Sequence, residues 1–178
     1  MFENEFKGKV VLVTGGSRGI GFAAVKGFLA AGAKVYFLSH YEETGAKALA
    51  ALKEINPDYE VMTKAIDLCD YKAVQELYKE IIAKWGRLDV LVNNAGIIRD
   101  NLLFKMSSSD WDTVMGVHLR GAFLWSRAAQ AQMVPEKWGK IVNLSSTSAL
   151  GNRGQANYSA AKAGMQGFTK SLAIELGP

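Results

Sequence analysis

Apolar runs of strand length alternate with amphipathic stretches of helix length along the whole chain. Lys9–Thr14 (KVVLVT) is a β-branched run bounded by glycines, and Gly19–Ala31 follows with Ile20, Ala23, Ala24 and Phe28 at helical spacing. Lys34–Leu38 (KVYFL) reads as a second strand and Glu42–Ile55 as a helix that Asn56-Pro57-Asp58 stops. Glu60–Ile66, Leu88–Asn93 (LDVLVN) and Lys140–Leu144 (KIVNL) read as three further strands. Asp70–Trp85, a long Asp110–Met133 and a last stretch from about Asn157 to Leu176 read as helices.

Strands alternating with helices make βαβ units and a mainly parallel sheet. Such a sheet is covered on both faces, which explains why KVVLV and VLV carry no polar alternation. The expected architecture is α/β: one doubly wound, Rossmann-type domain over residues 1–178, with its ligand site beyond the strand C-termini where strand order reverses. Gly177-Pro178 is a helix stop at the point where a further strand would follow.

Composition narrows the class. With 178 residues, 49% hydrophobic and 21% charged, the chain has room for one domain of ordinary size. No apolar run reaches the roughly 20 residues that span a bilayer. Met1-Phe2-Glu3-Asn4-Glu5 is acidic and is neither a secretory signal nor an Arg-rich transit peptide. The single cysteine, Cys69, excludes an internal disulfide framework and a cysteine-based zinc site, so a reducing cytoplasm is the expected location. The net charge of +4 comes from scattered basic residues with no block among them. That pattern describes a mildly basic surface rather than a nucleic-acid face.

The first strand runs into Thr14-Gly15-Gly16-Ser17-Arg18-Gly19-Ile20-Gly21. Glycines between a strand and a helix suit a dinucleotide phosphate. Gly15 permits the tight turn, Gly19 lets the pyrophosphate approach the backbone, and Gly21 lets the helix pack on the sheet. The helix N-terminus adds free N–H donors and the positive end of its dipole. Ser17, Arg18 and Ile20 complete the expected phosphate site. No Gly-Lys-Ser/Thr is present, which excludes a P-loop. An NAD site places an acid at the end of the second strand, where Ser39 and His40 stand here. Arg18 lies beside the turn, positioned to pair with a 2′-phosphate. NADP(H) is therefore the expected cofactor, NAD(H) the alternative, and Ser39 is counted among the cofactor contacts.

These residues resemble the short-chain dehydrogenase/reductase family. Thr14–Gly21 matches its TGxxxGxG motif, Asn93-Asn94-Ala95-Gly96 its NNAG motif and Tyr158-Ser159-Ala160-Ala161-Lys162 its YxxxK motif. The resemblance places Asp67, with the adjoining Leu68, near the adenine. Asn93, Ala95 and Gly96 form a small-residue turn at the end of the fourth strand, where small residues let the adenosine half approach the backbone; a structural turn is compatible with that role. Ile97–Leu103 and Gly151–Tyr158 are similar to the family's 3-oxoacyl-[acyl-carrier-protein] reductase branch, and the 3-hydroxyacyl-CoA dehydrogenase and acetoacetyl-CoA reductase branches are also similar. The resemblance implies a homo-oligomer, dimer or tetramer, paired through the long and last helices. It also implies two further strands and a substrate lid that these 178 residues do not supply, so the domain is expected to be incomplete.

Tyr158 and Lys162 are i and i+4, on one helix face. An adjacent ammonium favours a phenolate, so Tyr158 is the expected proton donor to a carbonyl, and the resemblance gives Lys162 a hold on the nicotinamide ribose. A hydroxyl from the end of the fifth strand should steady the carbonyl. Counting back from Tyr158 by the family's spacing gives Ser145, while reading forward along the strand gives Ser146 with a loop one residue shorter. Ser146 is preferred and Ser145 is the alternative. His118 stands where the family has a catalytic Asn whose main-chain carbonyl serves a proton relay. It is either a titrating site residue or a histidine packed in the interior. Neither His118 nor His40 lies in a metal-ligand cluster. The expected activity is NADPH-dependent reduction of a 3-oxoacyl thioester. The alternatives are a family dehydrogenase of another alcohol (sugar, polyol or steroid) and a catalytically silent nucleotide sensor.

Overall fold

The computed structural model describes residues 5–177. Met1–Asn4 of the acidic N-terminal stretch and Pro178 of the expected helix stop lie outside the described residues.

Five parallel strands form one sheet in the order β3-β2-β1-β4-β5: β1 Val10–Val13, β2 Lys34–Ser39, β3 Val61–Ala65, β4 Val90–Asn93 and β5 Lys140–Asn143. Helices α1 (Gly19–Ala30), α2 (Glu42–Ile55), α3 (Tyr71–Trp85), α4 (Ser108–Met115), α5 (Gly121–Met133) and α6 (Ala156–Leu176) connect and follow them. Successive strand residues point to opposite faces, and both faces are covered. Val10, Leu12, Tyr36, Leu38 and Leu91 pack with Val74, Leu77 and Ile81 of α3 and Leu124, Trp125 and Ala128 of α5. Val11, Val13, Val35, Phe37, Val90 and Val92 pack with Val25 and Leu29 of α1 and Ala48 and Leu52 of α2. Each fully buried Val, Leu, Ile or Phe among them stabilises by about 1.5–3 kcal/mol.

At the lower edge, buried Asp89 accepts the Val10 N–H (2.8 Å) and pairs with Arg87 and Lys9, fastening β1 to β4. Asp70 caps α3 through the Lys72 and Ala73 N–H groups, and Gly86 ends it at φ +75°.

The expected single helix Asp110–Met133 is corrected in two ways. It starts earlier, at Ser108, because the Ser107 hydroxyl accepts the Asp110 N–H at 3.0 Å. It is also broken by one π turn, Gly116–Arg120, between α4 and α5. Gly116 opens that turn and Gly121 follows it, and a Cβ on them would lie 3.2 Å from Cys69 Sγ and 3.3 Å from Leu68 Cβ, respectively. The widened turn carries His118.

Candidate active site

β1 connects outward to β2 and β3 on one side, and the chain then crosses to β4 and β5 on the other. The reversal therefore falls between β1 and β4, and the sequence-identified residues gather around the C-terminal ends there.

The glycine turn has a division of labour that its spacing conveys only in part. Gly15 sits at φ +66°, and a Cβ there would be 2.8 Å from Ala95 Cα, so this glycine seats the neighbouring turn. Gly19 sits at φ +54° with open space where its side chain would be. A Cβ on Gly21 would overlap Gly15 O and Asn94 Nδ2, so Gly21 packs on the turn itself rather than on the sheet. Contact with the sheet falls to Gly16, whose Cβ would come 2.5 Å from Phe37 Cβ, a role the spacing did not reveal. Thr14 and Asn94, read in the sequence only as motif positions, have a bonding role that the motifs do not specify. The Thr14 hydroxyl accepts the Asn94 and Ala95 N–H groups (3.1 and 3.0 Å), and Asn94 Nδ2 donates to the Thr14 and Gly15 carbonyls (2.9 and 3.0 Å). Together they lock the two turns into one rigid floor.

No side chain caps the α1 N-terminus at Arg18, so its first N–H groups are free to face an anion. Ser17 is half-buried, and Arg18 and Ile20 are exposed beside the turn. A pyrophosphate fits this combination of uncapped helix end and open glycine.

The other expected cofactor contacts have the following surroundings. Ser39 is buried, donates to the Tyr41 carbonyl (3.0 Å) and lies where a Cβ on Gly45 would meet it at 2.7 Å, so its hydroxyl serves the β2–α2 junction. Asp67 is exposed and accepts the Cys69 N–H at 2.8 Å, while Leu68 is half-buried. Asn93 donates to Asn143 Oδ1 (2.8 Å) and Ser126 Oγ (3.2 Å), tying β4 to β5 and α5. Gly96 is small for a reason of its own: a Cβ would overlap Cε1 of His118.

Tyr158 and Lys162 share one face of α6, with Lys162 Nζ 5.6 Å from the Tyr158 ring centroid. Lys162 is buried at 4% exposure and donates to the Leu144 carbonyl at 2.6 Å. Burial lowers the pKa of its amine from the usual lysine value. The His118 ring also meets the Tyr158 ring, in an edge-to-face contact at 5.1 Å. His118 is buried, and burial pushes its pKa down to about 4; the Ile97 carbonyl opposes that shift and the Lys162 charge adds to it. The ring is a neutral imidazole at physiological pH.

The two serines differ in their bonding. Ser145 Oγ donates to the Lys162 carbonyl and accepts from Gln166 Nε2, both at 3.1 Å. Ser146 Oγ accepts the Ser148 N–H at 3.1 Å. Asn157, fully buried at the start of α6, has a bonding role that its place in the sequence does not reveal. Its Nδ2 donates to the Arg99 and Asp110 carbonyls (2.9 and 3.3 Å), and its Oδ1 accepts the Tyr158 N–H at 2.7 Å. Among the described residues no helix is long and apolar enough to cross a membrane, and no His, Cys, Asp and Glu side chains gather into a metal-binding group.

The sequence profile described as short chain dehydrogenase matches residues 9–178. The chain belongs to that family. It is 42% identical over 179 residues to the 3-oxoacyl-[acyl-carrier-protein] reductase FabG of Aquifex aeolicus, covering 99% of this chain and 71% of that protein. Identity is 44% over 169 residues to the 3-oxoacyl-[acyl-carrier-protein] reductase of Synechocystis (94% and 68% covered). It is 40% over 172 residues to FabG of Escherichia coli (96% and 68% covered). Family membership makes the chain an NAD(P)-dependent oxidoreductase acting on CH–OH groups, with a nicotinamide cofactor.

Proposed function

We propose that this chain is the cofactor-binding and proton-donating part of an NADPH-dependent reductase that converts a 3-oxoacyl thioester to its 3-hydroxy form. The observation that carries the reading is the contact of the Tyr158 ring with both buried Lys162 and neutral His118 at the strand-order switch. The printed names of the relatives indicate the thioester and its acyl carrier protein.

When bound, the nicotinamide cofactor supplies the hydride. The α1 N-terminus and the Gly15–Gly21 turn hold its phosphates, with Arg18 beside them for a 2′-phosphate. Tyr158 gives its phenolic proton to the substrate oxygen as that oxygen gains negative charge. Lys162 stabilises the phenolate left behind, its own position fixed by the Leu144 carbonyl. Ser146 donates a hydrogen bond to the same substrate oxygen; this reading is supported by the commitment of the Ser145 hydroxyl to α6. The π turn frees backbone at His118 for relaying the proton back to Tyr158. Homo-oligomerisation through the α4–α5 stretch and α6 and a cytoplasmic location complete the reading.

The test is NADPH oxidation with acetoacetyl-CoA and with an acetoacetyl carrier protein, using the full-length protein and its Tyr158→Phe variant. Tyr158→Phe should lower kcat by about 10²–10⁴-fold with cofactor affinity retained. Turnover of sugars, polyols or steroids in place of both thioesters would reassign the substrate, and no turnover of any of them would leave a nucleotide-binding protein.

A further inference from the structure

The segment that follows the Asn93–Gly96 turn is fastened at two points. At Ile97, His118 Nε2 lies 2.8 Å from the carbonyl oxygen and 3.0 Å from the nitrogen. At Arg99, the carbonyl accepts from Asn157 Nδ2 at 2.9 Å. Both fastening side chains are buried, and both touch Tyr158. His118 does so with its ring, and Asn157 by accepting the Tyr158 N–H at 2.7 Å. The segment therefore links the π turn to the first turn of α6, and the tyrosine sits where the two ends of the link meet.

A single ring nitrogen donates or accepts but does not do both. His118 thus satisfies either the carbonyl or the N–H of Ile97, and its Nδ1 has no partner among the described residues. Keeping an incompletely paired polar ring in a buried position costs free energy. The absence of a Cβ on Gly96 makes room for that ring. The Asn157 amide is used at both ends, with two carbonyls on its nitrogen and an amide on its oxygen.

We propose that His118 and Asn157 are positioning residues that act as one brace, holding Ile97–Arg99 between them and so fixing Tyr158 for proton transfer. The bond to Ile97, rather than the charge of the imidazole, is what His118 contributes. The inference rests on the reading of Tyr158 as proton donor. Loss of turnover in Tyr158→Phe tests that reading separately.

The experiment is a double-mutant cycle on kcat in the full-length protein. His118→Phe keeps a ring and loses the nitrogen, and Asn157→Asp keeps the acceptor for the Tyr158 N–H and loses the donor to Arg99. Each single variant should lower kcat at least tenfold, with the nicotinamide cofactor Kd and the KM of the carbonyl substrate within twofold of the parent. The double variant should stay within threefold of the worse single, because one brace is broken once. His118→Asn offers Ile97 both a donor and an acceptor and should recover kcat to within threefold of the parent. If either parent substitution prevents cooperative melting, the cycle is read with His118→Gln and Asn157→Ser. Losses that multiply, single variants with unchanged kcat, a failure expressed in Kd, or a His118→Asn as slow as His118→Phe would each overturn the brace.

Discussion

The rings of His118 and Tyr158 meet edge to face, 5.1 Å between centroids at an interplanar angle of 89°. The contact brings a side chain from the π turn against one from α6, forty residues further along the chain. It makes the environment of the phenol partly the property of a residue that carries no charge at neutral pH.

Lys162 is held in a position that is poor for stability and good for chemistry. Its amine is buried with one carbonyl partner, and burial opposes its charge. Lys162→Met should melt at the same temperature as the parent or higher, while kcat falls by at least about 10²-fold, the low end of a general-acid contribution. Calorimetry and turnover on the same samples check both halves.

Ser145 and Ser146 should separate by the kind of damage they cause. Ser146→Ala removes the hydroxyl proposed to face the substrate oxygen and should lower kcat with no change in melting temperature. Ser145→Ala breaks the bonds to the Lys162 carbonyl and Gln166, and should lower stability by about 1 kcal/mol. Urea denaturation and initial rates on the two variants decide the assignment; a larger kcat loss in Ser145→Ala would reverse it.

Gly96 and His118 should be coupled in stability. Gly96→Ala forces a methyl into the imidazole, a form of overpacking that costs about 1–3 kcal/mol. In a His118→Ala background the same substitution should cost much less, since the clashing ring is gone. A double-mutant cycle measured by urea denaturation reads the difference.

Acid should destabilise the fold through His118. Its folded pKa of about 4 lies below the ordinary 6.5. Between those values the unfolded chain binds the extra proton, so this contribution is complete above pH 6.5 and is lost as pH falls toward 4. The loss from pH 7 to pH 5 should be about 2 kcal/mol. In His118→Asn this part of the pH dependence should vanish. Denaturation midpoints at the two pH values, parent against variant, provide the check.

Arg18 should set cofactor choice. It is exposed at the uncapped start of α1, and Ser39, which ends β2, turns its hydroxyl inward rather than offering an acid to a ribose. Arg18→Ala should weaken NADPH binding about tenfold and NADH binding by less than twofold, on the scale of one charge-assisted pair. Fluorescence titration of both nucleotides measures it.

The amino-acid sequence by itself determined the layers and the outline of the site. Strand and helix periods are local properties, so KVVLV and VLV announced buried parallel strands, and the Gly15–Gly21 turn and the i, i+4 pair Tyr158/Lys162 were legible for the same reason. What local spacing does not encode is which surface a side chain meets across the fold. Only the tertiary structure turned Ser39 inward toward Tyr41 and Asn93 toward β5, and gave the sheet-packing role to Gly16. It also joined Ser145 to α6, set Gly96 beneath His118, and made Asn157 a link between Arg99 and Tyr158. These partners lie 17 to 58 residues apart in the chain, apart from the short links of Ser39 and Asn157 to their neighbours. They are brought together by the burial of the sheet's two faces, which fixes where each helix lies and so which polar side chains come within reach of one another.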